Sequence, residues 1–181
     1  MAGGGFTLFE TAFGRCALAW NEQGLTSVRL PDLSDALTRA NLLARQPGCV
    51  ECNAGWPPFV ADAVARIQAH LAGQAHDLRE VPLDLSGTRE FELKVYTAAR
   101  ALDAGQTCTY GEMAHAIGEP TAIRAVGQAL AHNPWPLVIP CHRVLRAGGG
   151  LGGFSAPGRT ETKRRLLVLE AGMGRREGQL F

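Results

Sequence analysis

Apolar and polar residues alternate through FTLFETA (6–12), RCALAW (15–20) and LTSVRL (25–30), and the polar turn Asn21-Glu22-Gln23-Gly24 separates the last two. A period of two marks strands with one face turned inward, so the opening of the chain predicts an antiparallel meander. The period then lengthens. Ser34 stands where a hydroxyl can cap a helix running to about Gln46, and Pro57-Pro58 opens a second helix. In that helix Phe59, Val60, Ala63, Val64, Ile67 and Leu71 form an apolar stripe that ends near Gly73. These helices are expected to cover the sheet. EVPLDL (80–85) reads as one more strand, and Ser86-Gly87 marks the change to a helical half. The expected division is an N-terminal sheet-and-helix domain, 1–85, and a second domain, 86–181.

Helical spacing dominates the second half. Thr88 is the expected cap of a helix through Phe91, Val95, Ala98, Ala99 and Leu102, which ends before Gly105. Thr109-Tyr110-Gly111-Glu112 has capping-box spacing and predicts a short helix to Gly118. After a tight turn at Gly118-Glu119-Pro120, a second helix is expected from Thr121 to about His132, which together make a helix-turn-helix. An extended apolar run, LVIPCHRV (137–144), follows Asn133-Pro134; then come a glycine-rich loop, 147–153, and a last helix from about Thr160 to Ala171. The fold class predicted is α+β: an N-terminal antiparallel sheet with covering helices, then a helical, winged-helix-like domain.

With 181 residues, 46% of them hydrophobic, the chain can bury a core in each half. No run approaches the roughly 18 uninterrupted apolar residues of a membrane span, and MAGGGFTLFE lacks a basic stretch leading into an apolar one. A soluble, unexported protein is expected, cytoplasmic, and nucleoid-associated in a bacterium or nuclear in a eukaryote. Charge adds a direction. Residues 1–87 carry six arginines against nine carboxylates, a charge of −3, whereas 88–181 carry +4, so a polyanion would bind the second half. Five cysteines without framework spacing fit a reducing compartment and leave a thiol free for chemistry.

Pro140-Cys141-His142-Arg143-Val144 sets a thiol beside an imidazole at the end of a buried-looking strand. A thiol needs deprotonation to attack, and a histidine in reach, directly or through one water, can take the proton. A buried cysteine beside an unrelated histidine fits the same pair. On the last helix, positions 163, 166, 167 and 170 share a face, which puts the Glu170 carboxylate in line with Leu166 and Leu167 and in the final turn, against the helix dipole. Such a group calls for a donor; His142 would serve, and so would a nearby arginine at a solvated rim.

The second helix of the pair, TAIRAVGQALAH, can bury Ile123, Val126 and Leu130 while small residues leave its other faces nearly bare. Arg124 is its one arginine, and a lone arginine on such a surface suits insertion into a groove or base stack, or else simple solvation. Cys49-Val50-Glu51-Cys52 could be half of a structural zinc site completed by Cys16, His70 or His76, or ordinary thiols in a loop. The second reading is taken, with no metal and no cofactor.

Taken together, TYGEMAHAIGEPTAIRAVGQALAHNPWPLVIPCHRV, the loop to GGFS and the helix KRRLLVLEAG closely resemble the O6-alkylguanine-DNA alkyltransferases, over about residues 86–172. The first half matches that family only in length and in its strand-then-helix order. The resemblance implies a direct-reversal repair protein acting as a monomer on double-stranded DNA that contains O6-alkylguanine. It implies that Cys141 accepts the alkyl group irreversibly, once per molecule, after His142 takes its proton through a water. Glu170 would polarise His142, Asn133 would fix the turn at the site, and Tyr110 would donate a hydrogen bond to the guanine ring. Arg124 would fill the gap left by a flipped nucleotide, with Thr109 and Ala122 beside it against the DNA. The Val144 carbonyl and the Ser155 backbone would read the guanine edges, between walls that include Phe154 and Pro136. Two departures stand out: Phe154 replaces a tyrosine common in the family, and Trp135 is bulky next to Pro136. The residues alone also fit a regulatory or damage-sensing DNA-binding module with Cys141 idle, or a thiol hydrolase.

Overall fold

The computed structural model describes residues 4–177 and divides the chain into two compact units, Met1–Gly87 and Thr88–Phe181. In the first unit β1 (Gly5–Thr11), β2 (Gly14–Trp20) and β3 (Leu25–Arg29) form the expected antiparallel meander, with Phe6 opposite Ala19 and Leu8 opposite Ala17. The strands are buried at consecutive positions rather than alternate ones: Phe6, Thr7, Leu8 and Phe9 on β1, and Cys16 through Trp20 on β2. Helix α1 (Asp35–Arg45) lays Leu42 on Phe6, Leu8, Ala17 and Ala19, and its N-terminus is closed by the Ser34 hydroxyl accepting from the Leu37 N–H. Helix α2 (Pro58–Leu71) packs against β1 and buries Val60, Ala63, Val64, Ile67 and Leu71.

Two expectations for this unit are corrected. The stretch weighed as half a metal site, or as a loop, is an edge strand, β4 (Val50–Glu51), running parallel to β1, with the Cys52 N–H donating to the Phe6 carbonyl at 2.8 Å. Among the described residues no group of three or more His, Cys, Asp or Glu side chains is placed to share a metal. EVPLDL forms no strand. Leu83 makes a single bridge to Leu25, because Pro82 has no N–H to continue a ladder.

The second unit is mainly helical, as expected, with α3 (Glu90–Arg100), α4 (Tyr110–Ala116), α5 (Ile123–Ala131) and α6 (Arg159–Glu177) around the short parallel pair β5 (Cys108–Thr109) and β6 (Val144–Leu145). Helix α3 is entered through Arg89 rather than Thr88; the Glu92 carboxylate accepts from both the Arg89 backbone N–H and its guanidinium. At α4 the capping box forms as the spacing predicts: the Glu112 N–H donates to the Thr109 hydroxyl, and the Thr109 N–H to the Glu112 carboxylate. Gly118 turns the chain at φ +77°, and the Ala122 N–H donates to the Glu119 carbonyl. That closed turn delays α5 to Ile123, two residues later than expected.

The run 137–144 is not an extended strand; only its last residue, Val144, enters one, β6. Pro136 and Pro140 offer no donors, Leu137 has φ +74°, and Cys141–Arg143 form one 3-10 turn ahead of β6. Helix α6 is longer than expected. It passes through both Gly172 and Gly174, each of which costs a helix only about 1 kcal/mol, with buried Met173 between them. No helix among the described residues is long and apolar enough to cross a membrane.

Candidate active site

The 3-10 turn and α6 bring Cys141, His142, Arg143 and Glu170 into one buried cluster. The reason is a polar register on an apolar stripe: Lys163, Leu166, Glu170 and Met173 are the buried positions among the described side chains of α6. Glu170 is fully buried, and its Oε1 lies 2.8 Å from His142 Nε2. It is not in the final turn of the helix, so the dipole argument made from sequence fails. What holds its charge is Arg143, which donates from Nε to Oε2 at 2.9 Å and from Nη2 to Oε1 at 2.8 Å, while Nη1 donates to the Leu102 carbonyl at 2.6 Å. A guanidinium is always charged, so the carboxylate has a cation partner whatever the state of His142. A carboxylate facing Nε2 requires the neutral imidazole to carry its proton there, which makes Nδ1 the basic ring atom.

Asn133, just beyond α5, locks the approach to Cys141. Its Nδ2 donates to the Ile139 carbonyl at 2.9 Å and its Oδ1 accepts from the Trp135 N–H at 2.9 Å; the Cys141 N–H donates to the same Ile139 carbonyl at 2.8 Å. Burial pushes the Cys141 thiol above its ordinary range, and the Asn133 side chain and the Lys163 charge draw it partly back. The resting group at neutral pH is therefore a thiol that needs a base.

Cys141 is 7% exposed and opens into a cleft of about 430 Å3, a size typical of small-molecule sites. The walls include Tyr110, Ile123, Gly127, Phe154 and Ser155, with Arg146 also lining the cleft. Burial, then the charge of Cys141, raises the Tyr110 phenol, so it stays protonated and able to donate. Gly152 is needed beside it: its φ is +74°, and a Cβ there would stand 3.0 Å from the phenol oxygen.

Several residues singled out from the sequence thus converge on one place: Cys141, His142, Glu170, Asn133, Tyr110, Phe154 and Ser155. Pro136 and Val144 are buried and do not line the cleft; the Val144 carbonyl accepts from Lys163 Nζ at 2.7 Å. Arg124 is exposed on the first turn of α5, with Ala122 at its N-cap and Thr109 at the cap of α4. Ile123, expected in the core, is 47% exposed and lines the cleft instead. Trp135 turns away from the cleft and packs edge-on against Tyr96, ring centroids 6.1 Å apart. Sequence reasoning passed over Arg143 and Lys163 as site residues. Lys163 had a signal, being one of only two lysines and sharing a helix face with Glu170.

Fold and site define an α+β protein with a buried thiol, imidazole and carboxylate beside a helix-turn-helix. A family model described as the DNA-binding domain of 6-O-methylguanine DNA methyltransferase matches residues 90–172. The methylated-DNA–protein-cysteine methyltransferase of Mycolicibacterium paratuberculosis is 36% identical over 164 residues, 89% of this chain and 88% of that protein. Its counterpart in Methanosarcina acetivorans is 33% identical over 168 residues, 91% of this chain and 97% of that one. The crystal structure of Mycobacterium tuberculosis OGT in complex with DNA is similar with a TM-score of 0.75 and 33% identity, over 93% of both chains. The chain belongs to the methylated-DNA–protein-cysteine methyltransferase family.

Proposed function

We propose that this protein repairs alkylated DNA directly, moving the alkyl group from O6 of a guanine onto Cys141 Sγ in a single, irreversible event, in whichever compartment holds the DNA. The observation that carries this reading is the placement of Cys141: its thiol opens into a cleft large enough to admit a base, while the neighbouring His142 is held by a buried carboxylate. His142 Nδ1 takes the thiol proton, directly or through one water, and the Glu170 carboxylate stabilises the imidazolium that results. Sγ attacks the alkyl carbon, the carbon–O6 bond breaks, and its electron pair passes to the guanine, which leaves as an anion. A protonated Tyr110 aimed at that ring lowers the barrier as the charge develops. A thioether has no proton left to lose, so the acceptor is consumed.

A guanine inside a duplex cannot reach a thiol in this cleft, so the nucleotide is flipped out, and Arg124 fills the vacated stack. Thr109 and Ala122 flank it against the DNA backbone. Their own roles differ: the Thr109 hydroxyl and backbone N–H are both engaged in capping α4, which leaves contacts with DNA to its methyl group. The Ser155 backbone, at the cleft wall, reads a guanine edge, whereas the Val144 carbonyl, to which the resemblance gave the same task, is buried and accepts from Lys163.

A restriction site blocked by O6-methylguanine tests the reading. Cleavage is expected to return in proportion to the protein added, one site per molecule. No return would overturn the reading, and a return that continues past one equivalent would mean turnover. Arg124→Ala is expected to slow duplex repair roughly 30-fold, about 2 kcal/mol of the few that flipping costs. Its reaction with free O6-benzylguanine should be unchanged; equal losses on both substrates would rule out a flipping role.

A further inference from the structure

Arg146 is exposed and lines the cleft into which Cys141 opens, and it is the one charged side chain among the described residues that line it. Its place is set by the sheet. β5 and β6 run parallel with Thr109 opposite Leu145, so the next residues on the two strands, Tyr110 and Arg146, leave the pair side by side. The backbone beyond β6 then closes on itself: the Arg146 N–H donates to the Gly150 carbonyl at 2.8 Å and the Gly149 N–H to the Arg146 carbonyl at 3.1 Å. Bare glycines give the side chain its path. A Cβ on Gly152 would stand 3.4 Å from Arg146 Cγ and 3.0 Å from the Tyr110 phenol oxygen, and one on Gly150 would stand 3.6 Å from Arg146 Cβ. No carboxylate pairs with the guanidinium among the described residues, and Glu112, the acid at the same strand end, is committed to the Thr109 N–H in capping α4.

Cys141 is buried and Arg146 exposed, so the first marks the floor of the cleft and the second its mouth. A guanine that presents O6 to the thiol has its glycosidic bond directed away from it, and the sugar and phosphodiester groups follow that bond to the mouth. We propose that Arg146 is a strand-binding residue of the active site: its guanidinium takes a phosphodiester group flanking the alkylated nucleotide while Tyr110, beside it, meets the ring. The proposal rests on reading the cleft as the guanine site. A planar fork of donors matches two phosphate oxygens, and the anion supplies the counter-charge that the protein itself leaves out.

Arg146 and Arg124 then divide the work. Arg124, on the first turn of α5, is not among the residues that line the cleft; it fills a gap in the base stack, and a single strand has no such gap. A phosphate beside the alkylated guanine is present in paired and unpaired DNA alike and missing from a free base. Loss of Arg146 is therefore felt wherever that guanine is part of a strand. Lys163 cannot take its place, because that ammonium is buried and bound to the Val144 and Gly153 carbonyls.

The test is the rate of alkyl transfer to the full-length protein from a single-stranded pentanucleotide with O6-methylguanine at its centre. The two phosphodiester groups flanking that nucleotide are replaced one at a time by a neutral methylphosphonate, and free O6-benzylguanine is the phosphate-free control. R146Q should react about tenfold more slowly than the wild type with the charged pentanucleotide, as expected for an arginine–phosphate pair open to solvent on one side, and at the wild-type rate with the free base. One of the two neutral linkages should slow the wild type by a similar factor and R146Q hardly at all, the non-additivity of two groups in contact. R146K, which keeps the charge without the fork, should fall between, and it carries the same comparison if R146Q does not fold. The proposal is overturned if R146Q loses the same factor on the neutral linkages as on the charged ones, if it slows as much on the free base, or if it reacts like the wild type throughout. A wild-type protein that reacts with neither substrate would overturn the reading of Cys141 and the proposal with it, a result that none of the others resembles.

Discussion

Cys141→Ser is expected to abolish alkyl transfer outright while leaving duplex binding intact. The hydroxyl retains the hydrogen-bonding shape of the thiol, but its proton is held far more tightly, and a buried site penalises the alkoxide further. The His142–Glu170 pair that suffices for a thiol does not suffice for an alcohol. DNA binding draws on the helix-turn-helix surface and the +4 charge of the second half, neither of which changes. A fluorescent duplex titration alongside a methyl-release assay reads both quantities. Residual transfer at more than a trace would show that another group accepts the alkyl, and lost binding would show that the cysteine shapes the DNA surface.

The second large effect is at Glu170, and it divides by substitution. Glu170→Gln retains an acceptor for Arg143 but loses the charge that stabilises a protonated His142; transfer is expected to slow by about 10²–10⁴-fold, the usual worth of a positioned acid–base group. Binding to a duplex should change little. Glu170→Ala removes the partner of a buried guanidinium altogether, so the fold itself suffers, by about 3–5 kcal/mol. Chemical denaturation of the two variants checks the split. Equal destabilisation by Gln and Ala would mean that the acceptor retained by Gln does nothing to hold Arg143 and that the fold depends on the charge alone, and a Gln variant that transfers at the normal rate would remove Glu170 from the chemistry.

Arg143 explains why that carboxylate was only half legible. From sequence, Glu170 on an apolar stripe called for a donor, and His142 or an arginine each satisfied the demand. The structure uses both at once, because the 3-10 turn points consecutive side chains, His142 and Arg143, at the same carboxylate. An extended reading of 137–144 would have sent them to opposite faces. The missing clue was the pair Pro136 and Pro140, which strip a strand of its donors.

Other features were legible for local reasons and failed for nonlocal ones. The caps at Ser34 and Thr109 depend on residues three apart, and both formed as spacing predicts. Two-residue strands such as β4 and β5 have no period to read; β4 exists because the Gly4 and Phe6 carbonyls are there to accept. The alternation along β1 hinted at one buried face, yet Thr7 is buried as fully as Leu8, since the sheet is covered on both sides. Ile123 was placed inward by helical spacing, but it sits on the first turn of α5 at the cleft, where a side chain has less helix around it. Lys163 shared a helix face with Glu170, but its full burial is a property of the packed helix and not of the letter.

The central claim is that one cysteine, Cys141, takes the alkyl group and keeps it. The most direct measurement is the mass of the intact protein, followed by peptide mapping, after incubation with an equivalent of duplex containing O6-methylguanine. The account predicts a gain of one methyl group per molecule, confined to the peptide carrying Cys141 and unchanged by a second equivalent of DNA. An unaltered mass, or a methyl group on the peptides of Cys16, Cys49, Cys52 or Cys108, would contradict it.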